Sequence, residues 1–209
     1  MNPAPAMKTS VSWSSGKDSM LTLHTLFEQG VEAAGLLCTL TDSHRRVSMH
    51  GVRMELVEMQ ARSIGLPLIK SFIPPRCSNE AYKDAMHRVC VSLKRDGMEA
   101  VAFGDIFLDD VRRYRERRRK PGWRVFFRCG AAPLDERFLS LGYRAIVVAV
   151  DLDRREFGHD FLSDLPSGCG PCRGNGEFHT FVYAGPLLSK PVKVVREGRF
   201  CFQDLLPAV

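Results

Sequence analysis

The sequence predicts an α/β protein: a mainly parallel five-stranded sheet with helices on both faces, followed by a small C-terminal lobe of short strands. Three observations carry that reading. Up to residue 150, short apolar runs alternate with segments of helical period, the pattern of βαβ units whose parallel strands are buried on both faces. Polar and glycine-containing stretches directly follow the apolar runs, at the strand ends where such sheets bind ligands. Beyond Asp151, glycine and proline cluster between Pro166 and Gly176, and only short strand-like runs follow.

Thr9–Trp13 reads as the first strand. Ser19–Gln29 reads as a helix with Met20, Leu23 and Phe27 on one face, stopped by Gly30. Ala33–Leu40 is the second strand. Val52, Leu56, Met59 and Ser63/Ile64 mark a second helix, with Met49-His50-Gly51-Val52 at its start. Leu66–Ile69 is a short third strand, and Tyr82, Ala85/Met86, Val89 and Leu93 mark a third helix. Ala100–Phe103 is the fourth strand, and Arg144–Val150 is apolar enough to be the fifth. Phe178–Tyr183, Val192–Val195 and Arg199–Phe202 are the short strands of the smaller lobe. The expected division is residues 1–150 and a substrate lobe, 151–209, closing over the sheet edge.

A chain of 209 residues buries about 70% of its unfolded surface on folding, enough for a core without staples. With 44% hydrophobic and 26% charged residues, whole-chain disorder, collagen and coiled coil are excluded. No run approaches the ~18 apolar residues of a membrane span, and Met1–Lys8 lacks the apolar region of a secretory signal. A cytoplasmic protein without membrane association is expected, its seven cysteines reduced thiols. The net charge of +6 favours polyanions, although much of it lies in one run, Arg112–Lys120.

The strongest chemical signal is Ser14-Ser15-Gly16-Lys17-Asp18-Ser19, between a strand and a helix. Small residues let the backbone approach a ligand, a helix N-terminus offers unsatisfied N–H groups to phosphate, and Lys17 adds a cation. Asp18 fits such a site if it holds a metal or orients a neighbour. The spacing is not that of the Gly-x-x-x-x-Gly-Lys-Ser/Thr loop. Gly104-Asp105 ends the fourth strand, where Asp105 can cap a helix or hold Mg²⁺. His50, at a predicted helix start, would be kept neutral by the helix dipole and could hydrogen-bond a nucleotide or substrate. In Asn175-Gly176-Glu177-Phe178-His179-Thr180, Glu177 and His179 share a face if the stretch is extended, pairing a carboxylate with an imidazole for acid–base work.

Five segments in order, Val11–Met20 (VSWSSGKDSM), Arg46–Arg53 (RVSMHGVR), Pro75–Asn79 (PRCSN), Ala100–Glu116 (AVAFGDIFLDDVRRYRE) and Asn175–Val182 (NGEFHTFV), resemble the diphthine–ammonia ligase family. That family is a branch of the N-type ATP pyrophosphatases, the PP-loop superfamily, and the chain is similar to its short, bacterial-type members. The resemblance implies a Rossmann-like fold of the adenine-nucleotide α-hydrolase type. It further implies ATP cleaved to AMP and pyrophosphate with Mg²⁺, and a carboxylate adenylated and then converted by ammonia to an amide. On this basis Lys17, Asp18, Glu177 and His179 are the catalytic candidates. Ser12, Trp13, Ser14, Ser15, Gly16, Lys17, Asp18, Ser19, Thr39, His50, Gly104 and Asp105 are assigned to ATP, with Asp18 and Asp105 to the metal. Arg112, Tyr114, Asn175, Gly176 and Glu177 are assigned to the acceptor. That acceptor is a modified-protein carboxylate or, in a bacterial protein, a small, corrinoid-related acid.

The chain departs from the family pattern in three places. Ser15 stands where glycine is usual, which a serine tolerates if its φ stays negative. Gly174, with Arg173 before it, stands where the family has Glu. Val125–Cys129 replaces a Pro-Leu-Trp-Gly-like segment. Cys169-Gly170-Pro171-Cys172 has redox-pair spacing in a turn-rich context that does not suit one, and zinc would need further ligands such as Cys129 and His159. The seven basic residues of Arg112–Lys120 read as a solvated helix end, with nucleic-acid binding the sharper alternative. Two other functions fit the residues: a PP-loop tRNA thiolase using Cys169 and Cys172, and an ATP/AMP sensor without turnover. A homodimer is compatible with all three.

Overall fold

A computed structural model describes residues 7–104, 124–127, 134–150, 178–197 and 204–207. The elements in chain order are β1 (Thr9–Ser12), α1 (Lys17–Glu28), β2 (Ala33–Thr41), β3 (Arg46–Val47), α2 (Met54–Ile64), β4 (Leu68–Ile73), α3 (Asn79–Arg95), β5 (Ala100–Phe103), β6 (Arg124–Phe127), α4 (Leu134–Ser140), β7 (Arg144–Val150), β8 (Phe178–Ala184), β9 (Val194–Glu197) and β10 (Asp204–Pro207).

Five parallel strands lie in the order β4-β2-β1-β5-β6, and the short antiparallel β3 extends beside the end of β2. From β1 the chain steps outward through β2 to β4, then returns to β5 on the other side of β1. The strand order therefore reverses between β1 and β5, and the crevice at their carboxyl ends is where an open α/β sheet takes its ligand.

Alternation along the strands assigns the helices to faces. Val11, Leu36, Cys38, Leu40 and Ala102 join the larger core cluster with Met20 and Leu23 of α1 and Leu56 and Val57 of α2. Leu37 and Val101, the alternate positions, join Leu93 and Val89 of α3 on the opposite face. The α/β class and the mainly parallel sheet covered on both sides follow as the sequence predicts.

The identity of the fifth parallel strand is a correction. Arg144–Val150 pairs antiparallel with β8, and Arg124–Phe127 takes the fifth parallel position beside β5. The apolar run of β7 is explained all the same: Ala145, Ile146, Val147 and Val148 are buried in the larger core with Phe181 and Val182 of β8. Residue 150, the expected boundary, thus ends a strand whose partner begins at Phe178. Of the three predicted short strands, two appear as β8 and β9. The third, Arg199–Phe202, lies outside the described residues, and β9 pairs with β10 instead.

Smaller corrections concern registers. Helix α1 begins at Lys17, not Ser19, and its inner face is Met20, Leu23 and Leu26, while Phe27 is exposed. Tyr82 is likewise exposed on α3, and β4 starts after Pro67 rather than at Leu66. His50 does not open a helix: residues 48–50 form a turn, and α2 starts at Met54.

The β7–β8 ribbon is tied to α1 by a polar contact inside the core. The Tyr143 hydroxyl, fully buried at the start of β7, meets His24 Nδ1 at 2.8 Å, and its ring stacks on Phe138 of α4. Burial and the nearby Glu28 carboxylate push the Tyr143 pKa up, so the phenol stays neutral. Tyr143→Phe leaves that imidazole nitrogen without its partner and is expected to cost about 1–2 kcal/mol, read as a lower urea midpoint at unchanged m-value.

Candidate active site

Strand β1 ends at Ser12, and the next six residues carry the chain into α1. Trp13 faces the core: its side chain is buried and its indole N–H donates to Gln60 Oε1 at 2.8 Å. It supports the loop from beneath. Ser14 and Ser19 share a hydroxyl contact of 3.3 Å, and Ser19 Oγ donates to the Gly16 carbonyl at 3.0 Å, closing the loop over the first helical turn. Gly16 is the N-cap, in extended conformation and without a side-chain cap of its own. The cap comes from β8: Lys17 N donates to Thr180 Oγ1 at 3.0 Å, and Val182 N donates to the Ser15 carbonyl at 3.0 Å.

Two glycines are required by space. A Cβ on Gly16 would lie 2.9 Å from the Thr180 carbonyl. One on Gly104, at the end of β5, would lie 2.9 Å from both the Asp18 carbonyl and Thr22 Oγ1. Gly104 thus lets the end of β5 close on the first turn of α1.

Ser15 overturns an expectation. Its φ is +68°, the left-handed region, which costs a non-glycine residue roughly 1–2 kcal/mol. The loop keeps the conformation that glycine would provide, and the strain is offset by hydrogen bonds to the Ser15 carbonyl from Val182 N and from Gln60 Nε2, at 3.2 Å. The Ser15 hydroxyl turns back onto the Ser14 carbonyl.

Lys17 is almost buried, and its ammonium lies 2.8 Å from Asp18 Oδ1 and 5.8 Å from the centre of the Phe178 ring. Asp18 is 45% exposed. Its carboxylate orients the lysine and still presents a face to solvent. His50 and His179 stack with ring centroids 4.1 Å apart. Burial first, then the neighbouring His179 and the Lys17 charge, lower the pKa of His50 to about 3, against a contact with the Thr180 backbone that favours the charged form. His179 is lowered by burial and by Lys17 while Asp18 opposes. His50 is neutral as expected, but desolvation in the turn after β3 keeps it so, not a helix dipole. Among the described residues its buried Nδ1 has no hydrogen-bond partner.

Lys17, Asp18, His50, His179 and the loop are therefore assembled at one point. Thr39 lies further along the sheet, on β2 opposite Ser71 of β4, its carbonyl accepting from Ser48 N at 3.0 Å. Asp105, Arg112, Tyr114, Asn175, Gly176 and Glu177 lie outside the described residues, as do Cys169, Cys172 and the run to Lys120. Sequence reasoning gave no role to Gln60 or Thr180. Gln60 had a legible signal, a carboxamide at the i+4 position from Leu56 on an apolar helix face. Among the described residues Cys38, Cys77 and Cys90 are reduced thiols, and burial holds Cys38 protonated, its pKa pushed up to about 12.

The strand order and the loop after β1 define a Rossmann-like α/β protein of the PP-loop type. The family model of the diphthamide synthase N-terminal domain matches residues 7–122, more than half of the chain, and the chain belongs to that family. That family falls within the PP-loop ATP pyrophosphatase group. No curated protein matches the chain. Among the described residues no helix is long and apolar enough to cross a membrane.

The residues present fit a phosphate chain. Lys17 N is capped by Thr180 Oγ1; the first-turn amides that follow it, which have no acceptor within a helix, lie beside the Lys17 ammonium, the Ser14 and Ser19 hydroxyls and two neutral imidazoles, one with an unpartnered buried nitrogen. No cluster of three or more metal-ligating side chains occurs among the described residues. The half-exposed Asp18 suits Mg²⁺, which is commonly held by one or two carboxylates plus substrate phosphates.

Two outcomes are expected. Ser15→Gly removes the left-handed strain and is expected to raise stability by about 1 kcal/mol in chemical denaturation. The two histidines make stability fall as pH drops. Their folded pKa values lie below the usual 6.5, so the unfolded chain binds more protons. The loss starts near pH 6.5 and continues toward pH 3, with a slope of at most about 1.4 kcal/mol per pH unit per group. Urea midpoints from pH 7 to 4.5 are expected to decline less steeply in His50→Gln than in wild type.

Proposed function

We propose that the protein is an AMP-forming, ATP-dependent amide ligase, which adenylates a carboxylate acceptor and joins it to ammonia. The observation that carries this reading is the docking of β8 on the phosphate loop. Of the five segments that carry the family resemblance, the last lies beyond the matched residues 7–122, yet Thr180 from it caps Lys17 N and His179 lies against His50. One site thus unites a phosphate cradle with a neutral base.

In this reaction the acceptor carboxylate attacks the α-phosphorus of ATP, and the bond to the bridging oxygen breaks, releasing pyrophosphate. Ammonia then attacks the acyl carbon, AMP leaves, and one proton is lost from nitrogen. Lys17 and the first-turn amides stabilise charge on the pentacovalent phosphorus. Asp18 holds the lysine and offers its open face to Mg²⁺, which would neutralise charge on the departing pyrophosphate. His179, kept neutral by desolvation, is assigned the proton lost from nitrogen. Adenine is assigned to the end of β2 near Thr39. Arg112, Tyr114, Asn175 and Glu177 are proposed for the acceptor, with Asp105 as a second carboxylate for the metal. The acceptor is a small acid or a modified-protein carboxylate rather than nucleic acid.

The test is nucleotide chromatography after incubation with Mg-ATP, ammonium and a mixture of small carboxylic acids. AMP and pyrophosphate in equal amounts are expected, falling about 100-fold or more in Lys17→Ala. ADP and phosphate as products would overturn the reading.

A further inference from the structure

Gln60 belongs to none of the ligand-facing segments, yet it is fully buried on the apolar face of α2. A carboxamide offers two donors and an acceptor oxygen, and here they reach two separate parts of the fold, the loop after β1 and strand β8. Oε1 accepts from the Trp13 indole at 2.8 Å. Nε2 donates to the Ser15 carbonyl at 3.2 Å and to the Val182 carbonyl at 2.7 Å. Val182 N in turn donates to the same Ser15 carbonyl at 3.0 Å. The Ser15 carbonyl is thus gripped from two sides at the residue whose φ of +68° disfavours a side chain.

Packing alone does not call for this residue. Leu or Met would fill the volume and keep the helix face apolar. A carboxylate would lack the amide protons that two backbone carbonyls require. We infer that Gln60 is a positioning residue for the phosphate loop: its carboxamide holds Ser15 left-handed, and so fixes the course of the loop into α1 while locking β8 against it. The inference rests on the nucleotide reading of that loop.

The test combines amide hydrogen exchange with calorimetric titration of Mg-ATP. In Gln60→Met, exchange across residues 14–19 is expected to quicken about tenfold while β2 keeps its wild-type protection, and ATP is expected to bind about tenfold more weakly. Adding Ser15→Gly, which makes the left-handed conformation free of strain, is expected to recover most of the lost affinity. That recovery separates positioning from a loss of core packing, which a change at Ser15 cannot repair. Unchanged loop exchange and affinity would overturn the inference, as would a loss that Ser15→Gly leaves in place. If Gln60→Met does not fold, Gln60→Glu, which keeps the shape and loses the amide donor, goes through the same measurements. If wild type binds no ATP, the nucleotide reading fails, and the exchange rates alone still decide the role of Gln60.

Discussion

The contact on which the site depends is the one between β8 and the phosphate loop. It joins residues more than 160 positions apart through two backbone-directed hydrogen bonds, Lys17 N to Thr180 Oγ1 and Val182 N to the Ser15 carbonyl. It exists only because Gly16 has no Cβ to meet the Thr180 carbonyl. A helix N-terminus normally draws its cap from its own chain a residue or two upstream. Here the cap comes from a distant strand, so helix α1 and the site are completed together. The same strand delivers His179 to Lys17 and His50. The β7–β8 ribbon is held in turn by a shared core, with Phe181, Val182 and Tyr143 packed among α1 and α2 residues.

The electrostatic character of the site follows from burial. Among the described residues, three potentially cationic side chains, Lys17, His50 and His179, crowd one corner beside the Asp18 carboxylate. Desolvation holds both imidazoles neutral, and Lys17 Nζ pairs with Asp18 at 2.8 Å. A neutral imidazole can take a proton during a reaction, whereas a charged one could only compete with Lys17 for the phosphates. Asp18, which looks out of place in an anion site when read as sequence, has its explanation here as the lysine's partner.

Some of this was legible in the sequence because local chemistry dictates it. Alternating apolar runs and helical periods require a covered parallel sheet. The string from Ser14 to Ser19, set between a strand and a helix, requires a loop that meets a ligand with backbone amides. Other features were not legible, because a sequence records which residues are apolar but not what they pair with. Arg144–Val150 satisfies the pattern of a buried parallel strand and of a strand in a packed ribbon equally well, and only the placement of β8 selects the second. His50 followed by Gly51 resembles a helix start until β3 pairs with β2 and turns those residues inward.

The sequence by itself determined the α/β class, the strands β1, β2 and β5 to within one residue and the loop that carries Lys17 and Asp18, since periodicity and turn chemistry act over a few neighbouring residues. The tertiary structure alone decided the left-handed Ser15, the clamp by Gln60, the cap from Thr180 and the pairing of His50 with His179. Each of these depends on groups brought together from distant parts of the chain, where the cost of an unsatisfied buried polar atom or a strained dihedral is met by a partner that no local pattern names.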